Sequence, residues 1–303
     1  PKIVSGLREH MSTFVIIIQI VAPVFLLATI GFSWVRLGYD YSVSFVTRLA
    51  MSVSVPCLIF VALMNAKIDS ASLAATFWAA VVAYIIVTGV FYAIVKLAKL
   101  ESRTYLHPLI FGNTGNLGLP LALFAFGEAG LSFAVIVFAV MMVYSFSLGI
   151  WMVSGRGAGI KVLKEPSVYG ALLGALFLYN GWQTPIWLTN TLQLAGQMAI
   201  PLMLITLGVA LGRIDARRFM RPLVLAIVKV ISCATIATGV GLYFELSPIA
   251  MAVLILQLTT PVAVTSYLLA EKYGADSETV AGLVVVSTAV SVISLPVLLV
   301  FLI

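Results

Sequence analysis

From residue 14 onward the chain alternates long apolar runs with short clusters of charge, glycine and proline; the runs fall at 14–36, 43–64, 73–95, 105–126, 131–153, 167–181, 187–211, 222–244, 249–270 and 279–302. Coiled as helices, runs of about 20 residues match the thickness of a bilayer's hydrocarbon core, whereas barrel strands would read as segments of about ten residues with alternating polarity. Only helices and closed barrels satisfy their own backbone hydrogen bonds in lipid, so the pattern predicts an all-α membrane protein with ten transmembrane helices. One stretch interrupts the pattern from inside a run: FGNTGNLGLP, residues 111–120, carries two asparagines, a threonine, three glycines and a proline between apolar flanks.

Composition agrees with this reading. The 303 residues are 62% hydrophobic and 9% charged with mean hydropathy +1.15, more apolar surface than a single soluble core could hide. Cys57 and Cys233 fall inside predicted spans and form no spaced framework, so they are read as packing residues. The first ten residues precede Met11 and are expected to stand apart from the folded unit, as an added or unstructured leader.

Charge sets an orientation. With ten spans, Arg36, Lys96, Lys99, Arg103, Arg156, Lys161, Lys164, Arg213, Arg217, Arg218, Arg221 and Lys272 share one side, against Lys2, Arg8 and Lys67 on the other. The positive-inside rule makes the richer side cytoplasmic and places both termini outside, at a cell membrane. Because the basic residues are scattered over short loops, they give no footprint for nucleic acid.

The chain also resembles itself. LAMSVSVPCLIFVALMNAKID at 49–69 matches LAGQMAIPLMLITLGVALGRID at 194–215, each opening on Leu-Ala, with a proline seven residues in and a basic residue, Ile and Asp at the close. Pro120 follows Pro56 by 64 residues and Pro261 follows Pro201 by 60. The chain therefore divides into a leader at 1–10, a first five-helix repeat at 11–153, a cytoplasmic linker at 154–166 and a second five-helix repeat at 167–303. Five is odd, so the second copy inserts upside down: two inverted repeats, as in secondary transporters.

Proline removes an amide donor and glycine loosens the backbone, so helices four and nine are expected to break near Pro120 and Pro261 and to cross near the bilayer midplane. Thr260 and Asn116 are N-cap residue types beside those prolines. The broken ends would present free amides, partial positive charge and the side chains of Asn113, Thr114, Asn116, Gln257, Thr259 and Thr260 to an anionic ligand. Pro56 and Pro201 have no adjacent polar cluster and are read as kinks. Lys229 sits about 12 Å into the eighth span, counted from Arg221 at 1.5 Å per residue. It is read either as the counter-charge of a substrate carboxylate or as a tie to a helix C-terminal carbonyl.

NTGNLGLPL followed by FGEAG, together with TTPVAVTSYLLAEKYGADSETVAGLVVVSTAVSVISLPVLL toward the C-terminus, resembles the auxin efflux carrier family, over essentially all of Met11 to Ile303. The short 154–166 loop is similar to that of the bacterial members, which carry small organic anions. The resemblance implies a scaffold of spans one, two, six and seven, a mobile domain of the other six, a homodimer and an elevator movement. It matches Asn113 and Thr114 to the Asn-Thr that opens the family's first crossover, Pro120 and Pro261 to its crossover prolines, and Tyr144 to a tyrosine near the substrate. Thr76 and Ala80 stand where plant members carry an acidic residue and a lysine.

The function expected is therefore secondary transport of a small organic anion, with no cofactor and no metal site. No acidic residue lies deep in a span, so the coupling ion, H+ or Na+, stays open. An enzyme is disfavoured, since an intramembrane hydrolase needs a nucleophile with a base or a metal set, and the histidines are His10 and His107, the latter read as an interfacial residue beside Pro108; the lack of a phosphate-binding GxxxxGK[ST] sequence disfavours an ATP-driven pump. A ligand-binding sensor or a channel without coupled transport is the alternative.

Overall fold

The computed structural model describes residues 2–154, 166–213 and 220–303, with side chains described from residue 15 onward except Ser70. The expected linker at 154–166 lies, between its two end residues, outside the described residues, as do Arg217 and Arg218. The described chain is all-helical: α1 (Lys2–Arg36), α2 (Val43–Leu49), α3 (Val55–Met64), α4 (Ser70–Leu97), α5 (Ser102–Ile110), α6 (Leu119–Tyr144), α7 (Ile150–Ser154), α8 (Pro166–Asn180), α9 (Ile186–Gln197), α10 (Ala199–Arg213), α11 (Met220–Tyr243), α12 (Pro248–Leu258), α13 (Val264–Tyr273) and α14 (Ser277–Leu302). Three π-helical turns, Ala50–Ser54, Thr114–Gly118 and Ser145–Gly149, lead into α3, α6 and α7.

Among the described residues, seven helical segments are long and apolar enough to cross a membrane: Val15–Arg36, Val43–Met64, Ala71–Leu97, Thr114–Ser154, Ile186–Arg213, Met220–Tyr243 and Ser277–Leu302. Local chemistry sets several of their starts. Asp69 caps α4, its carboxylate accepting from Ser72 N at 2.8 Å and Ser72 Oγ at 2.6 Å, which holds that exposed carboxyl below its usual range. Asp276 caps α14 through Thr279 N at 3.0 Å, just after Gly274 closes α13 in the left-handed conformation.

The 114–154 segment is not one straight rod. Gly127, at φ 64 and ψ −156, leaves the helix inside α6. A straight helix would hold residues 122 and 130 about 12 Å apart, yet a Cβ built on Gly130 would lie 2.5 Å from the Ala122 carbonyl oxygen. Gln257 likewise touches both Gly118 and the Ala134 carbonyl. The chain therefore doubles back at Gly127, where the sequence places FGEAG between two runs.

Packing gathers the helices into two groups. In one, α1 lies along α10, and α3 packs on α8 and α9; in the other, α4, α5, α6, α7, α11, α12, α13 and α14 pack on one another. The groups meet where α6 touches α1, α3 and α8 and where the 114–118 turn touches α10. Pro56 sits at the start of α3 behind its π-helical turn, and Pro201 at the start of α10 behind an interruption at Met198. Gly196 brings α9 onto this bend, since a Cβ there would lie 2.9 Å from Leu58 N.

The α1–α10 contact is backbone on backbone. A Cβ on Gly31 would overlap the Ile205 carbonyl, and one on Gly208 would overlap the Ala28 carbonyl. Small residues permit such approaches in membranes, where dispersion replaces the hydrophobic effect as the driving force. Gly208→Val is expected to cost about 1–3 kcal/mol by overpacking. A thermal melt of the detergent-purified variant checks this, and an unchanged midpoint would refute the contact.

Candidate functional site

Two helices are interrupted, and their interruptions meet. α5 ends at Ile110 and the chain runs extended through Phe111 before the 114–118 turn; α12 ends at Leu258 and helix resumes at Val264. Gly112 and Val262 form an isolated antiparallel bridge. Asn113 N donates to Pro261 O at 2.7 Å and Ala263 N to Phe111 O at 3.3 Å. Val262 N, pointing away from the bridge, donates to Ser287 Oγ of α14 at 3.0 Å. Two breaks thus satisfy part of each other's backbone inside the packed bundle, where water is scarce.

The sequence explains one break better than the other. Pro261 lacks an amide hydrogen and stands within its break, as expected. Pro120 does not: it occupies the first turn of α6, eight residues beyond Gly112, and the fourth span breaks instead at Phe111–Asn113. Proline is compatible with a first helical turn, where its missing donor has no intrahelical partner, so Pro120 favours a helix start rather than a gap. Glycine is needed at Gly112 because a Cβ would overlap Thr260 Oγ1 and press on Thr260 O, whereas at Gly118 it would meet the terminal amide of Gln257, which a flexible side chain can move aside.

Asn113, Thr114, Gln257, Thr259, Thr260 and Pro261 come together around the bridge, all buried. Their hydrogen bonds divide them. Thr260 Oγ1 donates to Gln257 O at 2.7 Å and Thr259 Oγ1 to Ile255 O at 2.7 Å, so both hydroxyl protons are spent on the last turn of α12. Asn113 Nδ2, Thr114 Oγ1 and Gln257 Oε1 are buried without a partner, while Gln257 Nε2 donates to Ala134 O at 3.3 Å. Asn116 is half-buried within the 114–118 turn.

Tyr144 stands beside the crossing, its ring 5.8 Å from that of Phe111 and its hydroxyl 3.1 Å from Thr88 Oγ1. It also lines a cavity of about 670 Å³ between α3, α4, α6 and α8, walled mainly by aliphatic side chains with Tyr84, Ser147 and Tyr179. The crossing residues do not line that cavity. Tyr84 joins the two places, stacked 6.3 Å from Phe111 and tilted 6.2 Å from Tyr144, with its own hydroxyl unpartnered. Thr76 and Ala80 are buried on α4, with the Thr76 hydroxyl donating to Ser72 O.

Lys229 on α11 is 1% exposed and donates from Nζ to Leu109 O at 2.8 Å. In an unbroken helix that carbonyl would accept from Asn113 N, which here goes to Pro261 O, so the break creates the acceptor that Lys229 occupies. A cation at a helix C-terminus is favoured by the helix dipole.

His107 is a residue whose place sequence reasoning missed. It is fully buried between helices, with Nδ1 2.9 Å from Ser266 Oγ on α13 and Nε2 3.1 Å from Ser145 Oγ in the 145–149 turn. No local pattern announces either partner. Among the described residues, no group of three or more His, Cys, Asp or Glu side chains is arranged to hold a metal ion.

The profile of a family described as membrane transport protein matches residues 16–166 and again 158–299, and bears out the resemblance noted in the sequence. An uncharacterized transporter of Methanothermobacter thermautotrophicus is 25% identical over 301 residues, covering 92% of this chain and 96% of the relative. An uncharacterized transporter of Methanocaldococcus jannaschii is 26% identical over 196 residues, covering 61% of this chain and 63% of the relative.

Proposed function

The chain belongs to the membrane transport protein family, and we propose that it is a secondary carrier of a small organic anion, bound where the two interrupted helices cross. As a transporter it is not an enzyme. The observation that carries the anion reading is the crossing itself: Asn113 Nδ2 and Thr114 Oγ1, buried and unpartnered, stand beside the start of the 114–118 turn. Helix starts attract negative charge, and a carboxylate would accept from both groups. Protonated, the buried Lys229 would supply positive charge at Leu109 O beside the break, and Tyr144 and Tyr84 link the crossing to the apolar cavity as an approach for a ligand's carbon body.

Ten crossings in two inverted repeats fit the fold when the 114–154 segment is divided at Gly127, α5 is joined to its first half, and α8 and the α12–α13 pair are each counted as one. Both termini then face outward from the cell membrane, in line with the basic loops. The two packing groups correspond to a scaffold and a moving body, which favours an elevator cycle in a homodimer, coupled to H+ or Na+.

A thermal-shift panel of butyrate, benzoate, succinate and glutamate, with and without sodium, tests the reading, because a ligand bound only by the folded state raises the melting point. Asn113→Ala is expected to weaken the best binder by roughly ten- to a hundredfold, the loss of a hydrogen bond to a charged group, with melting unchanged in its absence. Equal affinity in the variant would move the ligand away from the crossing. Uptake of that binder into proteoliposomes separates a carrier from a sensor that binds and does not transport, and currents beyond carrier turnover would indicate a channel.

A further inference from the structure

The bridge between the two breaks is short. It has two backbone hydrogen bonds, Asn113 N to Pro261 O and Ala263 N to Phe111 O, and an isolated antiparallel pair of that size has little stability of its own. Something else must hold its register. His107 is placed to do so: its carbonyl accepts Phe111 N at 2.9 Å, closing the last turn of α5, and its ring reaches Ser266, three residues beyond Ala263.

We infer that His107 is the positioning residue that keeps the two interrupted helices in register at their crossing, through the His107–Ser266 hydrogen bond. That bond and the two bridge bonds form one run of contacts from α5 to the segment that opens α13, so the imidazole extends a two-bond bridge by a third, side-chain rung. The ring has little freedom. It lies 4.6 Å from the Phe111 ring, and Gly149 presses on both, since a Cβ there would lie 2.8 Å from Phe111 Cε2 and 3.0 Å from His107 Cδ2. The 145–149 turn brings Gly149 there and also supplies Ser145, whose hydroxyl occupies the second ring nitrogen. With one nitrogen on each serine, the imidazole cannot turn over without breaking both bonds.

The two serines make the inference testable, because each variant to alanine removes one hydrogen bond of similar length to the same ring. A ring that only fills space, or that only stabilises the bundle, would respond alike to both. A positioning role through Ser266 predicts asymmetry. Hydrogen–deuterium exchange of the full chain in detergent reads local opening at the breaks directly and needs no substrate. His107→Ala and Ser266→Ala are expected to raise exchange roughly tenfold in peptides covering 109–118 and 258–266, with α1 and α10 unchanged. Ser145→Ala is expected to raise exchange in its own turn alone.

Equal effects of the two serine variants at the breaks, a uniform rise along the chain, or no rise at the breaks would each overturn the inference. If His107→Ala does not fold, Ser266→Ala, which deletes a single oxygen, decides the matter. The consequence for transport rests on the crossing being the ligand site, but the exchange result does not. A negative exchange result therefore leaves the carrier proposal standing, and failure of every carboxylate to bind the unmodified protein defeats that proposal while leaving the exchange result intact.

Discussion

Gly112→Ala is expected to abolish transport and to lower the melting point more than any other single-methyl addition near the crossing. A Cβ at this position overlaps Thr260 Oγ1 and comes within 3.1 Å of Thr260 O. Neither atom can retreat cheaply. Thr260 Oγ1 is bonded to Gln257 O at 2.7 Å, and its backbone adjoins Pro261, whose carbonyl holds Asn113 N. Overpacking in a tight core costs about 1–3 kcal/mol, and the upper end applies where the obstructing groups are hydrogen-bonded. Adding Thr260→Ala should return much of the loss, since the remaining side-chain contact is Thr260 Cβ at 3.4 Å, an ordinary approach. Melting of the two single variants and the double variant measures the coupling, which for touching residues is about 0.5–3 kcal/mol. Simple additivity, or wild-type melting of Gly112→Ala, would show that the backbones at the bridge are farther apart than described.

How much of this was legible in the sequence depends on whether the cause was local. Hydropathy separates the apolar runs, and the gap between those at 105–126 and 131–153, with glycine at 127 and 130, coincides with the reversal at Gly127, because a turn residue between two runs is a local signal. The paired breaks were expected from their glycine, proline and polar clusters, and Pro261 lies in its break. The other break lies at Phe111–Asn113 and not at Pro120, since a proline that starts a helix and one that ends it look alike in sequence, and here the chain leaves the helix at Phe111. Nothing in the sequence places the His107 imidazole against Ser266, 159 residues away, and a histidine next to a proline near a predicted span end reads as interfacial. The sequence reads Thr259 and Thr260 as side chains presented to an anionic ligand, and here both hydroxyls donate to their own helix; which way a threonine hydroxyl turns is decided by rotamer, which spacing does not encode.

Lys229→Met is expected to separate two properties that usually move together. The methionine removes the donor from Leu109 O, and a buried carbonyl left without a partner costs about 1–3 kcal/mol. It also removes a fully buried amine that is bonded to one carbonyl and, among the described residues, to no carboxylate, and its protonated form pays a burial penalty of several kcal/mol. These terms oppose each other, so the melting point of the variant should hold or rise. Ligand binding has no such offset. With the neighbouring cation gone, only neutral donors and helix ends remain to attract an anion, and affinity for a carboxylate should fall more than about tenfold, or about 1.4 kcal/mol. Lys229→Arg tests the cap separately, since it keeps the charge while changing the geometry at Leu109 O. If Lys229→Met melts early and binds carboxylates with unchanged affinity, the lysine is a cap on the broken helix and no part of the anion site; if melting holds and affinity falls, its charge belongs to the site, and its bond to Leu109 O keeps that charge beside the break.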